Sequence, residues 1–211
     1  QWTGEGMPPR IGTQYETGLK SKFLNDRLNV SAALFFVRDT GRALPDALHP
    51  GYFTPAGLSE SKGFEAEISG ALAAGWQVYG GYSYTITEYL TAGAADKGGS
   101  MLPMLPMHSI NLWTTYNFQE RPLKDFMIGA GIKAITDFYR KMSFGNNSGV
   151  RYNGDGYIIV NAVISYIISD SISISLNINN VFDEKYFQNV GPSQNFYGEP
   201  RSAMLRLDKK F

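Results

Sequence analysis

The 211-residue chain contains no cysteine and only two histidines. The first absence excludes a disulfide framework and any thiolate metal site. The second leaves His49 and His108 far apart, neither with a second ligand at a metal spacing. An excess of either charge is also missing, since 19 basic residues balance 19 acidic ones, and nothing pulls the chain toward nucleic acid. No run of about 18 apolar residues occurs, so no transmembrane helix is expected. That leaves a membrane open, because a β-barrel shows apolar residues to lipid only at every second position. The opening Gln1-Trp2-Thr3-Gly4 lacks the basic and apolar regions of a signal peptide, which leads to the expectation of a C-terminal piece of an exported protein. Nucleophile-elbow and phosphate-loop motifs are absent too; Gly129-Ala130-Gly131 reads as strand, and no enzyme is expected.

What is present is a period of two. Tyr15, Thr17, Leu19, Ser21 and Phe23 share one face, with Glu16, Gly18, Lys20 and Lys22 on the other. The same alternation returns in Leu28 to Phe36, Phe64 to Ser69, Trp76 to Thr87, Ile110 to Phe118, Phe126 to Ala134, Ile158 to Ile168, Ile172 to Asn179 and Ala203 to Phe211. Strict alternation argues strand over helix, and about nine strands result. Their connections alternate between short (Asn25-Asp26, Ala73-Ala74-Gly75, Glu120 to Lys124, Ser169-Asp170) and long (about 39–60, 89–107, 138–155 and 182–198). Short turns on one side and long loops on the other describe an up-and-down transmembrane barrel, all-β and antiparallel.

A soluble sandwich would also alternate, but it packs its strands over one compact core. Here the second face carries Ser, Asn, Thr, Gln, Glu and Lys strand after strand, which suits a wet lumen. Aromatics are abundant, 13 Tyr, 13 Phe and 3 Trp, and those near strand ends (Tyr15, Phe23, Phe36, Trp76, Tyr84, Phe118, Phe126, Tyr157, Tyr166 and Phe211) fit interfacial girdles. An odd strand count does not normally close a bacterial barrel, and two raw edges invite pairing. The nine strands are therefore expected to be part of a larger barrel, or to meet another chain.

Four separated motifs then resemble one family. They are Gln14-Tyr15-Glu16-Thr17-Gly18-Leu19-Lys20; Gly63-Phe64-Glu65-Ala66-Glu67; Pro106-Met107-His108 with Leu112-Trp113-Thr114-Thr115-Tyr116; and Asn180-Val181-Phe182-Asp183 through Tyr186, with Tyr197-Gly198-Glu199-Pro200-Arg201. In this order they resemble the C-terminal barrel of TonB-dependent outer-membrane receptors, the ferric-siderophore branch in particular. That resemblance implies a 22-stranded barrel with an N-terminal plug. Residues 1–211 would be its last nine or so strands, with plug and earlier strands outside this sequence. It also implies a multi-pass protein of the Gram-negative outer membrane.

The function implied is binding of a ferric siderophore at the extracellular loops, for uptake energised by TonB through the plug. Iron would be carried by the siderophore, so no protein metal ligand and no cofactor are expected. Cobalamin or glycan receptors of the same class, and a passive diffusion pore, are the alternatives; two histidines make haem the poorest fit. The resemblance assigns Glu16, Glu65 and Glu67 to plug contact. Read from the residues alone, these carboxylates could equally pair within the wall, with Lys20 or Lys133, or be hydrated. Tyr52, Phe53, Tyr89, Phe138, Tyr139, Phe196 and Tyr197 are the candidate ligand-binding loop aromatics, since rings give large contact area at little entropic loss; some of them also suit the outer girdle. Leu205, Leu207 and Phe211 match the signal read by the barrel-insertion machinery, with Lys209 departing from its apolar pattern and snorkelling. Lipid and lipopolysaccharide complete the expected partners.

Overall fold

The computed structural model describes residues 1–46, 48–91, 105–144, 148–190 and 195–210, with the backbone alone for 139–144 and 148–152. All regular structure among these residues is strand. In chain order the strands are β1 (Ile11–Phe23), β2 (Leu28–Pro45), β3 (Phe53–Ala73), β4 (Trp76–Tyr89), β5 (His108–Asn117), β6 (Phe126–Ile135), β7 (Phe138–Phe144), β8 (Ser148–Gly154), β9 (Tyr157–Ser169), β10 (Ile172–Asn179), β11 (Phe187–Asn189), β12 (Phe196–Tyr197) and β13 (Ser202–Lys209). Nine of them form one antiparallel meander in the order β1-β2-β3-β4-β5-β6-β9-β10-β13. The expected nine-stranded alternation is therefore observed, and β1 and β13 each pair on one side only among the described residues.

Register converts the sequence alternation into two chemically distinct faces. One row across the sheet reads Leu19, Ala32, Ala66, Tyr82, Ile110, Ala134, Ile158. The adjacent row, one residue along each strand, reads Lys20, Ser31, Glu67, Gly81, Asn111, Lys133, Ile159. A one-residue slip of any strand would exchange its two faces, so this patterning fixes the register. Large apolar side chains stand exposed on the first face, Leu19 at 80 % and Leu205 at 69 %, where a soluble sheet would bury them. Aromatics fringe that face: Trp76 lies opposite Tyr116, and the Phe126 and Tyr166 rings are 4.5 Å apart.

Three of the four long connections contain more strand than the sequence suggests, and most of the fourth, expected over about 89–107, lies outside the described residues. The loop expected over about 39–60 is mostly a continuation of β2 and β3, paired out to Pro45 and Phe53. The segment expected as a loop over about 138–155 contains the β7/β8 ribbon, and that over about 182–198 contains β11/β12. The alternation read through Ile168 breaks at an irregular step in the β9/β10 pairing, between Ile172 and Ser173.

The buried core is small and lies at the long-loop end. Phe138, Tyr157, Ile159 and Val190 pack with Ile135, Tyr186 and Phe187. Ile135 and Tyr157 face each other in the polar-face row, so the β10–β13 connection folds over that face. Asn180 anchors the fold-over: 2 % exposed at φ 50°, its amide donates to the Glu184 and Glu199 carbonyls at 2.9 and 3.0 Å. Its side-chain oxygen accepts the Glu184 N–H at 2.9 Å.

Candidate functional site

Two regions carry the candidate residues. The first is on the polar face, where β2 separates the strands bearing Glu16 and Glu65. Gly18, Ala33, Glu65, Ser83 and Ser109 share one register row, so Glu65 rises among small neighbours. The result is a recess of about 410 Å³ lined by Glu16, Gly18, Lys20, Ala33, Glu65 and Glu67. Its depth depends on close backbone approach, since a Cβ on Gly18 would meet the Ala32 carbonyl oxygen at 2.6 Å. A second recess of about 220 Å³, reaching Gly81, Ser109 and Asn111, lies across Glu65 and Glu67, which stand between the two.

The three carboxylates are exposed and lightly bonded. Glu16 accepts the Gln14 amide at 3.1 Å, and Glu67 accepts the Ser31 hydroxyl at 3.4 Å. Among the described residues Glu65 has no hydrogen-bond or ion-pair partner, and neither Lys20 nor Lys133 pairs with any of the three. Lys133 instead places its ammonium 5.9 Å from the Tyr157 ring centroid. Carboxylates left this way would take cationic groups if another body covered the face.

The second region is the long-loop rim. Tyr52, Phe53, Phe196 and Tyr197 are exposed at 42, 49, 51 and 70 %, available to a ligand. Tyr89 and Phe138 are placed differently. Tyr89 is 6 % exposed, beneath the Arg42 guanidinium 4.4 Å from its ring centroid, with Arg42 donating to its hydroxyl at 3.1 Å. Phe138, at 5 %, belongs to the buried cluster. The Tyr139 side chain and Phe211 lie outside the described residues. Leu205 and Leu207 stand on the apolar face of β13, opposite Leu176 and Ile174. Between the ends of β5, β6 and β9 opens a cavity of about 870 Å³, its lining including Met107, Asp137, Phe138, Asp155, Tyr157 and Glu184.

The sequence reading missed one feature of the rim. Trp2 stacks on His49 with ring centroids 4.3 Å apart and meets Tyr52 edge-on at 5.4 Å, so the segment before β1 docks on the β2–β3 tip. His49 Nδ1 lies 3.1 Å from Asp46. The Leu48 N–H, then the His49 side chain, hold the Asp46 carboxyl below the usual carboxylate range. A Trp far from its partner in sequence leaves no periodic signal. His108 takes a structural place: its Nδ1 is 2.9 Å from the Tyr82 hydroxyl and its ring packs 4.8 Å from Tyr84.

An antiparallel meander with an apolar outer face, fringing aromatics and a polar inner face defines an outer-membrane-type β-barrel wall. Its sequence narrows the class. Residues 3–181 match the family model for the TonB dependent receptor-like β-barrel. The chain belongs to the TonB-dependent receptor β-barrel family. It is 34 % identical to the ferric-pyoverdine 358 receptor of Pseudomonas putida over 99 % of this chain and 25 % of that one. With the ferripyoverdine receptor of Pseudomonas aeruginosa it shares 33 % identity over 94 % of this chain and 25 % of the relative. The crystal structure of the P. aeruginosa outer-membrane ferripyoverdine receptor bound to ferripyoverdine matches with TM-score 0.87 at 30 % identity, covering 99 % of this chain and 28 % of that one. The chain thus spans about a quarter of the length of these curated relatives. The family gives the two faces their meaning, the apolar one toward lipid and the polar one toward the lumen.

Proposed function

We propose that this chain is the C-terminal wall of a TonB-dependent receptor that binds a ferric siderophore at its long-loop rim and passes it through a plugged lumen. The observation that carries the reading is the shared recess of Glu16, Glu65 and Glu67 on the lumen face. These carboxylates form no ion pair within the wall among the described residues, and a plug bearing arginine or lysine would neutralise them. The names of the relatives, receptors for ferric pyoverdine, support a ferric siderophore as the ligand.

In this reading the plug and the remaining strands come from the same protein, and those strands pair with the free sides of β1 and β13. The plug fills the lumen and connects to TonB, and the barrel sits in the Gram-negative outer membrane. Tyr52, Phe53, Phe196 and Tyr197 offer contact area to a rigid, partly apolar chelate. Iron stays within the chelate, so the protein does no chemistry on its ligand.

The test is radio-iron uptake by cells carrying the complete receptor, supplied with ferric pyoverdine and with ferric catecholates. Saturable uptake that stops when TonB is deleted supports the reading. Passive entry of unrelated small solutes at the same rate in both strains would replace it with a pore.

A further inference from the structure

The lumen face is chemically lopsided. On β1 and β3 it carries Glu16, Lys20, Lys22, Glu65 and Glu67. Across β4, β5, β6 and β9 the lumen-facing residues bear one charge among the described residues, that of Lys133. A single register row crosses both halves and reads Asn29, Ser69, Tyr79, Trp113, Gly131, Asn161. Its two rings are direct neighbours on β4 and β5, and Tyr79 is 71 % exposed.

Glycines make room around these rings. A Cβ on Gly131 would run into Trp113 Cε3 and lie 2.8 Å from Cζ3, so the indole fills the space above that glycine. Gly81, the next lumen-facing residue along β4 from Tyr79, leaves the wall beside the phenol open, since a Cβ there would meet nothing closer than 3.7 Å. The result is a recess of about 270 Å³ whose lining includes Tyr79, Asn111, Trp113, Lys133 and Asn161. Lys133 forms no ion pair among the described residues, and its ammonium lies 5.9 Å from the centroid of the Tyr157 ring. Tyr157 in turn lines the rim cavity of about 870 Å³. Rim cavity and recess are thus stacked on the same strands, β5, β6 and β9, with Lys133 reaching from one toward the other.

The two halves suit different occupants. Fixed charges of both signs match the surface of a folded domain that stays in place. A nearly neutral wall of small and aromatic residues does not pin a moving solute. Two rings offer a flat conjugated group contact area at little entropic loss, the lone ammonium attracts negative charge, and the Asn111 and Asn161 amides can donate to acid oxygens. We propose that a negatively charged ferric chelate, after leaving the rim, passes down the β4–β9 side of the lumen and pauses in this recess. Its conjugated part lies against Tyr79 and Trp113, and an acid oxygen meets Lys133. The inference rests on the receptor reading and adds the side of the lumen that the ligand uses.

The test uses the complete receptor in cells, with a photoreactive benzophenone amino acid placed at position 79 or, in the same row on β2, at position 29. Cells are given ferric pyoverdine or a ferric catecholate, irradiated during uptake, and the receptor peptides are weighed by mass spectrometry. The expected result is siderophore mass on the peptide carrying position 79, present with TonB and absent when TonB is deleted, with none at position 29. Tyr79→Ala combined with Trp113→Ala should lower maximal radio-iron uptake about fivefold, the size of losing two ring contacts. Lys133→Gln alone should lower it about threefold. Chelate affinity measured on TonB-deleted cells, which reads the rim, should not change in any of these variants. TonB-dependent uptake without a label at position 79, or equal labelling at position 29, would overturn the proposal. So would loss of plug protection from protease in the Tyr79/Trp113 double variant, which would make the rings plug anchors. Failure of the unmodified receptor to take up any ferric chelate would instead be failure of the receptor reading, and this inference would fall with it.

Discussion

Glu65 shares one recess with Glu16, although the whole of β2 lies between their strands. Carboxylates in water are unremarkable in stability, and exposed pairs contribute little. Covering them with a plug changes that, because a charge-assisted hydrogen bond to a covered carboxylate is worth about 1.5–3 kcal/mol. In the complete receptor, Glu16→Gln with Glu65→Gln should lower the urea concentration at which the plug becomes protease-sensitive, while the barrel keeps its heat-modifiable mobility. Unchanged plug protection would show that the recess holds only water.

Asn180 should prove the most sensitive single residue of the rim. Its side chain makes three hydrogen bonds that tie the β10–β13 connection to itself, at a left-handed backbone position that Asn tolerates. Asn180→Ala removes all three and should destabilise this region by about 3 kcal/mol, at roughly 1 kcal/mol per bond. Hydrogen exchange should then accelerate in residues 182–190 while β5 and β6 stay protected. Equal exchange in both proteins would mean that the packing of Tyr186 and Val190 suffices alone.

The wall was legible in the sequence because its two faces differ at every step, as in the run from Tyr15 to Phe23. The rim was not. β2 and β3 continue to Pro45 and Phe53 through register shifts at Thr40/Arg42 and Arg42/Leu44, and each shift breaks the period of two. Composition marked Tyr89 and Phe138 as rim aromatics, but it cannot distinguish a ring offered to ligand from one packed beneath Arg42 or against Tyr157. Glu16 and Glu65 were found through family motifs; their shared recess depends on Gly18 and Ala33 being small, which alternation does not report.

Gly63 should tolerate no side chain. A Cβ there would run into the Tyr84 carbonyl oxygen and come within 2.8 Å of the Phe35 ring. Backbone cannot yield cheaply in a paired sheet, so Gly63→Ala should cost about 1–3 kcal/mol and lower the yield of heat-modifiable barrel. Gly12→Ala, where a Cβ meets nothing within 4 Å among the described residues, serves as the control and should fold normally.

The β2–β3 tip should loosen in acid. Asp46 is held below its ordinary range by the Leu48 N–H and then by His49. A depressed carboxyl stabilises the folded tip above its unfolded pKa of about 3.9, and that contribution is lost as pH falls through the lower folded value. Fluorescence of Trp2, taken as the difference from Trp2→Phe, should therefore change below about pH 4. Asp46→Asn should remove this acid step, and an identical titration in that variant would count against the assignment.

A ferric siderophore seated at the rim is tested by measuring its binding. The complete receptor, plug included, would be titrated by intrinsic fluorescence with ferric and iron-free siderophores, pyoverdines among them. Saturable quenching by a ferric chelate is expected, lost when Phe196 and Tyr197 are both replaced by Ala. Binding of cobalamin or an oligosaccharide, with no response to any siderophore, would contradict it.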